Sequence, residues 1–175
     1  MNRGPLFTED EIHAWAPFVI GVLHLLSTLD TELKAAFDLS HLDYGILMLL
    51  SQTQERFQRM STLATTFGVD PSNITYRVRR MESKGLVERS MHSSDGRVVD
   101  VHITDEGRVL LGKAQLLHVE GARRHFLDHL EPAQLHAIEV IFDNLRTVQQ
   151  PSQENAFMQS TLPDIPDIRE EQHQH

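Results

Sequence analysis

Apolar residues along this chain recur mainly at helical spacing. Ile12, Trp15, Ala16, Val19, Ile20, Leu23 and Leu26 fall three or four apart. They follow Thr8-Glu9-Asp10-Glu11, which has the T-x-x-E spacing of a capping box. The spacing predicts a first helix with more apolar surface than one packing face needs. Pro17 lies inside it, and its missing N–H predicts a kink or a division into two segments. Ser40 is a candidate cap for a second helix over LDYGILMLL, which gives way to a polar run from Ser51 to Arg59. Ser61 is a candidate cap for a short third helix, STLATTF, stopped by Gly68. Asp70-Pro71 opens a fourth: aspartate caps well, and proline at the first helical position forfeits no hydrogen bond. That helix runs to Lys84 and stops at Gly85, a residue suited to a left-handed end.

The period then shortens. Val99, Val101 and Ile103 alternate with Asp100 and His102, as in a half-buried strand. With Leu86–Ser90, across the polar stretch His92–Gly96, they predict a hairpin with a projecting loop. Thr104-Asp105-Glu106 starts a long fifth helix reaching about Leu130, with its acids at the favourable end of the helix dipole. Glu131-Pro132 restarts the chain as a sixth, with Leu135, Ile138, Ile141, Phe142, Leu145 and Val148 on one stripe. From Pro151 prolines, acids and glutamines dominate, which predicts a disordered acidic tail.

Composition removes several chemistries. With no cysteine there is no disulfide, thiolate metal site, cysteine nucleophile or thiol redox sensor. The longest apolar stretch, Phe18–Leu29, is broken by Gly21, His24, Ser27 and Thr28, and falls short of the roughly 18–20 apolar residues of a membrane span. No membrane association is expected. No basic segment followed by an apolar one marks a secretory signal, so a cytoplasmic protein is expected. Neither a G-x-S-x-G elbow, a glycine-rich phosphate loop nor a clear carboxylate pair is present, and no enzyme activity or cofactor is expected.

The formal charge of −9 argues against nucleic acid until the charges are located. From Ser72 to Arg97, Arg77, Arg79, Arg80, Lys84, Arg89 and Arg97 face only Glu82, Glu88 and Asp95. That is +3 in a chain whose remainder carries −12, a basic island on an acidic scaffold. It coincides with the third and fourth helices, which read as a helix–turn–helix. Leu63, Ala64, Phe67 and Val69 can pack against Ile74, Val78 and Met81, which share one stripe. The other face carries Ser72, Asn73, Thr75, Tyr76, Arg77, Arg79 and Arg80, hydroxyl, amide, phenol and guanidinium groups able to meet base edges and phosphates. Ser72, Asn73, Tyr76 and Arg77, nearest the N-terminal end, are the expected base contacts. Ser61, Thr75 and Arg80 complete the expected helical DNA set. Arg97, behind the hairpin tip, is suited to an adjacent minor groove, with Asp95 placed to hold its guanidinium.

The segments VDPSNITYRVRRMESKGLVERS and HSSDGRVVDVHITDEG resemble the DNA-binding core of the MarR family. Thr75, Gly85-Leu86-Val87, Arg89, Asp95-x-Arg97 and Ile103-Thr104 with Gly107 fill that pattern, and the likeness extends from Thr8 to Val148. Tyr76 and Arg79 depart from it, where basic and acidic residues respectively are common. The resemblance implies a mainly α fold with a small β-hairpin wing: a winged helix-turn-helix, dimerised through its N- and C-terminal helices. The implied organisation is a dimerisation helix at 1–38, the DNA-binding lobe at 39–104, dimerisation helices at 105–150 and the tail at 151–175. It also implies a homodimer on a pseudo-palindromic double-stranded operator, and a repressor released by a small, aromatic or phenolic effector. Trp15, Phe18, His41 and Tyr44 are the candidate effector contacts. Too much apolar surface on the first and last helices for one copy to cover also points to a dimer.

Two other readings use the same residues. Among eleven histidines, His118, His125 and His129 share one face of the fifth helix, so a metal-responsive regulator is one alternative. No carboxylate completes an H-E-x-x-H arrangement, and partly buried interface histidines fit better, so no metal ligand is assigned. The other alternative is a sequence-independent architectural DNA-binding protein.

Overall fold

The computed structural model describes residues 6–53, 57–92 and 95–149, with the backbone alone at 92, 95–97 and 146–149. The tail expected at 151–175 lies outside the described residues. The element order is α1 (Glu9–Phe37), α2 (His41–Gln52), β1 (Phe57–Arg59), α3 (Met60–Phe67), α4 (Pro71–Ser83), β2 (Val87–His92), β3 (Asp95–Ile103), α5 (Asp105–His125), a 3-10 turn (Leu127–His129) and α6 (Pro132–Gln149).

The caps explain the boundaries. Thr8 and Glu11 exchange both bonds of a capping box at the start of α1, and Ser40 and Asp43 do the same for α2. Thr104 caps α5 through the N–H of Gly107. The α1 helix continues through Pro17 as one 29-residue element, so the expected division is absent. Ser61 is not a cap: α3 starts one residue earlier, with Arg59 in the capping position and no side-chain bond there. The α5 helix ends at His125 rather than near Leu130.

The expected hairpin is part of a three-stranded antiparallel sheet, in the order β1-β3-β2. Phe57–Arg59, read in the sequence as polar connection, pairs with Asp100–His102. Three residues are too few to show a period of two. Strands β2 and β3 pair from Val87↔Ile103 to Met91↔Val99, with a register irregularity between Met91 and His92 before the pair His92↔Asp95.

One core joins these parts. Leu33 and Leu39 from the end of α1, Ile46, Leu47 and Leu50 from α2, and Leu63 from α3 meet Ile74, Val78 and Met81 of α4, Val87 and Val101 of the sheet, and Ala114 of α5. All are nearly or fully buried, so α4 is seated by its one apolar stripe. Most of α1 before Leu29 lies outside this core: Trp15, Phe18, Ile20, Leu23 and Leu26 are exposed, as are Ile141, Phe142 and Leu145 on α6. Contrary to the sequence reading, α1 is long and apolar enough by length and composition to cross a membrane, with mean hydropathy 1.6 over its best window.

Candidate nucleic-acid interface

Helix α4 is set at its start by Asp70, whose carboxylate accepts the Ser72 N–H at 2.7 Å; the hydrogen bonds from Ser72 hold that carboxyl below its usual range. Pro71 occupies the first turn. With Ile74, Val78 and Met81 buried, the 100° step of a helix puts Ser72, Tyr76, Arg79 and Ser83 within a sector of about 60° facing directly away from the core. All four are exposed. Thr75, half-buried at the edge, returns its hydroxyl hydrogen to the Pro71 carbonyl at 2.9 Å. Asn73 is exposed on the opposite edge.

Arg77 and Arg80 do not project with that face. Arg77 turns toward the α1–α2 corner, donating from Nη1 to Ser40 Oγ at 2.5 Å and to Asp43 Oδ1 at 3.2 Å, while its Nε donates to Asn73 Oδ1 at 2.7 Å. Arg80 Nη2 donates to the Asp38 carbonyl at 2.8 Å and to its carboxylate at 2.6 Å, and Arg80 Nη1 lies 3.8 Å from Asp43 Oδ2. Lys84 also binds both oxygens types of Asp38, carbonyl and carboxylate. The hydrogen bond from Lys84, followed by the charges of Lys84 and Arg80, outweighs desolvation and holds the Asp38 carboxyl below its ordinary range. Asp38 is the αL residue ending α1, with φ 52°. In this conformation Arg77 and Arg80, both expected to contact DNA, are committed to carboxylates of the same chain.

Sequence reasoning missed this corner. Asp43 is legible as the third member of a Ser-x-x-Asp box, but one carboxylate oxygen serves the cap and the other the arginine of a helix 34 residues later. Ser61 lies exposed in the first turn of α3, where its carbonyl accepts from Thr65. Asp95 and Arg97 lie on β3, the wing strand, and their side chains fall outside the described set.

The four candidate effector contacts separate into two groups. Trp15 packs on Phe18, with ring centroids 6.0 Å apart, and Phe18 on Phe142 of α6 at 6.4 Å. His41 and Tyr44 lie toward the other end of α1, where the His41 N–H donates to Asp30 Oδ1 at 2.8 Å, about 18 Å of helix from Phe18 at 1.5 Å per residue. They meet His118 of α5 instead. His41 Nε2 and His118 Nε2 are 3.0 Å apart in rings nearly coplanar, at 14°, with centroids at 5.2 Å. That separation is what two imidazoles meeting end to end through one N–H···N bond require. The Tyr44 ring lies over His118 at 4.5 Å. Burial, with a smaller push from His41, takes His118 down to about 4; burial lowers His41 and raises Tyr44 to about 12.

The other histidines do not converge with His118. His125 Nε2 meets Glu32 Oε1 at 2.8 Å beside Arg124, and His129 meets the Arg124 carbonyl. Among the described residues no three His, Cys, Asp or Glu side chains gather as a metal site. A cleft of about 980 Å³ does exist between α1, the end of α5 and α6. Phe18, Leu25, Ile138 and Phe142 line it, together with Arg124 and His129.

A helix pair whose second member is buried along one stripe and exposed on the other, packed with a three-stranded antiparallel sheet, is the architecture of a winged helix. Residues 39–99 match the model of the MarR family. The structure is similar to that of Sco3205, a MarR family transcriptional regulator from Streptomyces coelicolor in complex with DNA: TM-score 0.79, 29% identity, covering 89% of this chain and 98% of that one. AbsC, a MarR family regulator of the same organism, shares 30% identity with TM-score 0.77 over 85% of this chain and all of its own. Among curated relatives, the HTH-type transcriptional repressor MdtR of Bacillus subtilis is 33% identical over 37% of this chain and 41% of its own length. The curated relatives matched are spanned for 41%, 61% and 66% of their lengths. The chain belongs to the MarR family.

Proposed function

We propose that this protein is a cytoplasmic, homodimeric regulator that binds a pseudo-palindromic operator in double-stranded DNA and acts as a repressor, released by a small effector. The observation that carries the reading is the outward sector of α4, polar and cationic on a helix whose other face is buried. Ser72, Asn73 and Tyr76 are the proposed base contacts from our sequence reading. Thr75, Ser61 and, from the wing, Arg97 held by Asp95 flank them. The neighbour solved in complex with DNA supports this assignment by analogy of fold.

The dimer reading rests on the apolar faces of α1 and α6. A contiguous set of exposed Trp, Phe, Ile and Leu marks a surface that another body covers, and a second copy applied by a twofold axis covers both faces at once. In this reading residues 1–38 and 105–150 join the copies, and 39–104 form the lobe that reads DNA. The alternative occupant, a lipid bilayer along α1, predicts a protein that requires detergent. Of the four candidate effector contacts, Trp15, Phe18, His41 and Tyr44, Phe18 lines the α1–α5–α6 cleft, whose mainly apolar lining with Arg124 suits a small organic acid.

A gel-shift with the duplex beside the protein's own gene, against competitor DNA and across salt, tests this. Salt-sensitive binding that prefers that duplex is expected, and Arg97→Ala is expected to weaken it while leaving the dimer intact. Equal binding to all sequences would favour an architectural role, and no binding would refute the proposal.

A further inference from the structure

We infer that Arg79 is the specificity-determining cation of the recognition helix, and that Arg77, Arg80 and Lys84 act only as positioning residues. The inference rests on the DNA-binding reading and concerns which side chain does the reading.

Four cations lie on or at the end of α4, and three are engaged away from the outward face. Arg77 is bound by Ser40, Asp43 and Asn73; Arg80 and Lys84 are bound by Asp38. These bonds tie α4 along its length to the junction of α1 and α2, so they fix its rotation about its own axis. Arg79 is exposed and makes no hydrogen bond or ion pair with the described residues. Glu82, which the charge of Arg79 also reaches, is held by Arg89 at 2.6 Å, with the Arg89 hydrogen bond the largest cause of its lowered pKa and Arg79 the smallest. Arg79 stands in the same 60° sector as Ser72 and Tyr76, one turn beyond Tyr76, so the three could span successive base pairs. A guanidinium that no described residue engages can give guanine O6 and N7 the two parallel bonds that a single ammonium cannot. Had Arg77 been the reader, it would first have to leave a carboxylate that is 1% exposed.

The test measures affinity for the duplex beside the gene and for a scrambled duplex, for wild type, Arg79→Ala, Arg79→Lys and Arg77→Ala, with the melting temperature of each. Arg79→Ala is expected to lose about ten- to a hundredfold on the operator and little on scrambled DNA. Arg79→Lys is expected to keep the scrambled affinity and still lose operator preference. Arg77→Ala is expected to lower the melting temperature and leave the salt dependence of binding unchanged. Equal loss on both duplexes for Arg79→Ala, with the salt slope reduced by about 1, would make Arg79 a phosphate contact and overturn the inference. So would an unchanged operator affinity, or a salt slope that falls in Arg77→Ala. A wild-type protein that fails to prefer its operator would instead defeat the functional reading itself.

Discussion

Replacing Asp43 by alanine removes one carboxylate and strips three groups at once. The Ser40 N–H loses its acceptor at 2.9 Å, Arg77 loses an ion pair at 3.2 Å, and Arg80 a longer one at 3.8 Å. Losing the capping interaction costs about 0.5–2 kcal/mol. Removing one partner of a buried ion pair costs about 3–5 kcal/mol when both charges are sequestered. Arg77 is 23% exposed and keeps its bonds to Ser40 and Asn73, which reduces that contribution to about 1–2 kcal/mol. The expected loss is about 1.5–4 kcal/mol, or about 3–16 °C in Tm for a chain of this size. Urea unfolding followed by circular dichroism measures it, at fixed protein concentration because a dimer's stability depends on concentration. Asp43→Asn should lose less, since an amide oxygen still accepts from Ser40. A change below about 0.5 kcal/mol for Asp43→Ala, the ordinary range for a surface substitution, would refute the placement of this carboxylate at the centre of the corner.

Protonation should weaken the fold from a second place. His118 sits near 4 and His41 is lowered when folded, against an ordinary 6.5, so the unfolded chain takes up protons first. Their contribution is complete above about pH 6.5 and is lost as pH falls toward 4; the urea midpoint should drop between pH 7 and 5, less steeply in His118→Phe, and an identical pH slope in that variant would contradict the assignment. Gly107→Ala should destabilise by about 1–3 kcal/mol or more, because a Cβ there would overlap the Leu86 carbonyl oxygen, which also accepts the Thr104 N–H at 3.1 Å; a wild-type thermal midpoint would show that α5 packs elsewhere. Leu23→Glu combined with Phe142→Glu should yield a monomer of unchanged helicity in light scattering after size exclusion, and a persisting dimer would move the interface off α1 and α6.

What the sequence made legible, and what it did not, divides along a physical line. Local signals worked where a helix end satisfies itself: Thr8 with Glu11, Ser40 as the cap of α2, Asp70 with Pro71, and Thr104 each lie where their short-range bonds are made. Periodicity placed Ile74, Val78 and Met81 in the core because packing follows the 3.6-residue repeat. Strand β1 escaped, since three residues pairing with His102–Asp100 owe their conformation to β3 rather than to their own pattern. The interface was half legible. Spacing identified the outward face of α4, but the direction of a long arginine is decided by distant acids: Asp38 and Asp43 captured Arg80 and Arg77 across 42 and 34 residues. Aromatic side chains likewise invited one pocket, whereas Trp15 lies near the start of α1 and His41, on α2, is bonded beside Asp30 further along it.

The central claim is that two copies hold their α4 helices one DNA turn apart. Because the chain has no cysteine, Ser83→Cys at the exposed end of α4 accepts a single spin label per copy, and double electron–electron resonance on the operator-bound protein measures the separation. A dominant distance near the 34–36 Å of one helical turn is predicted. No dipolar coupling at all, or a distance too short for the two helices to enter successive grooves, would contradict the account.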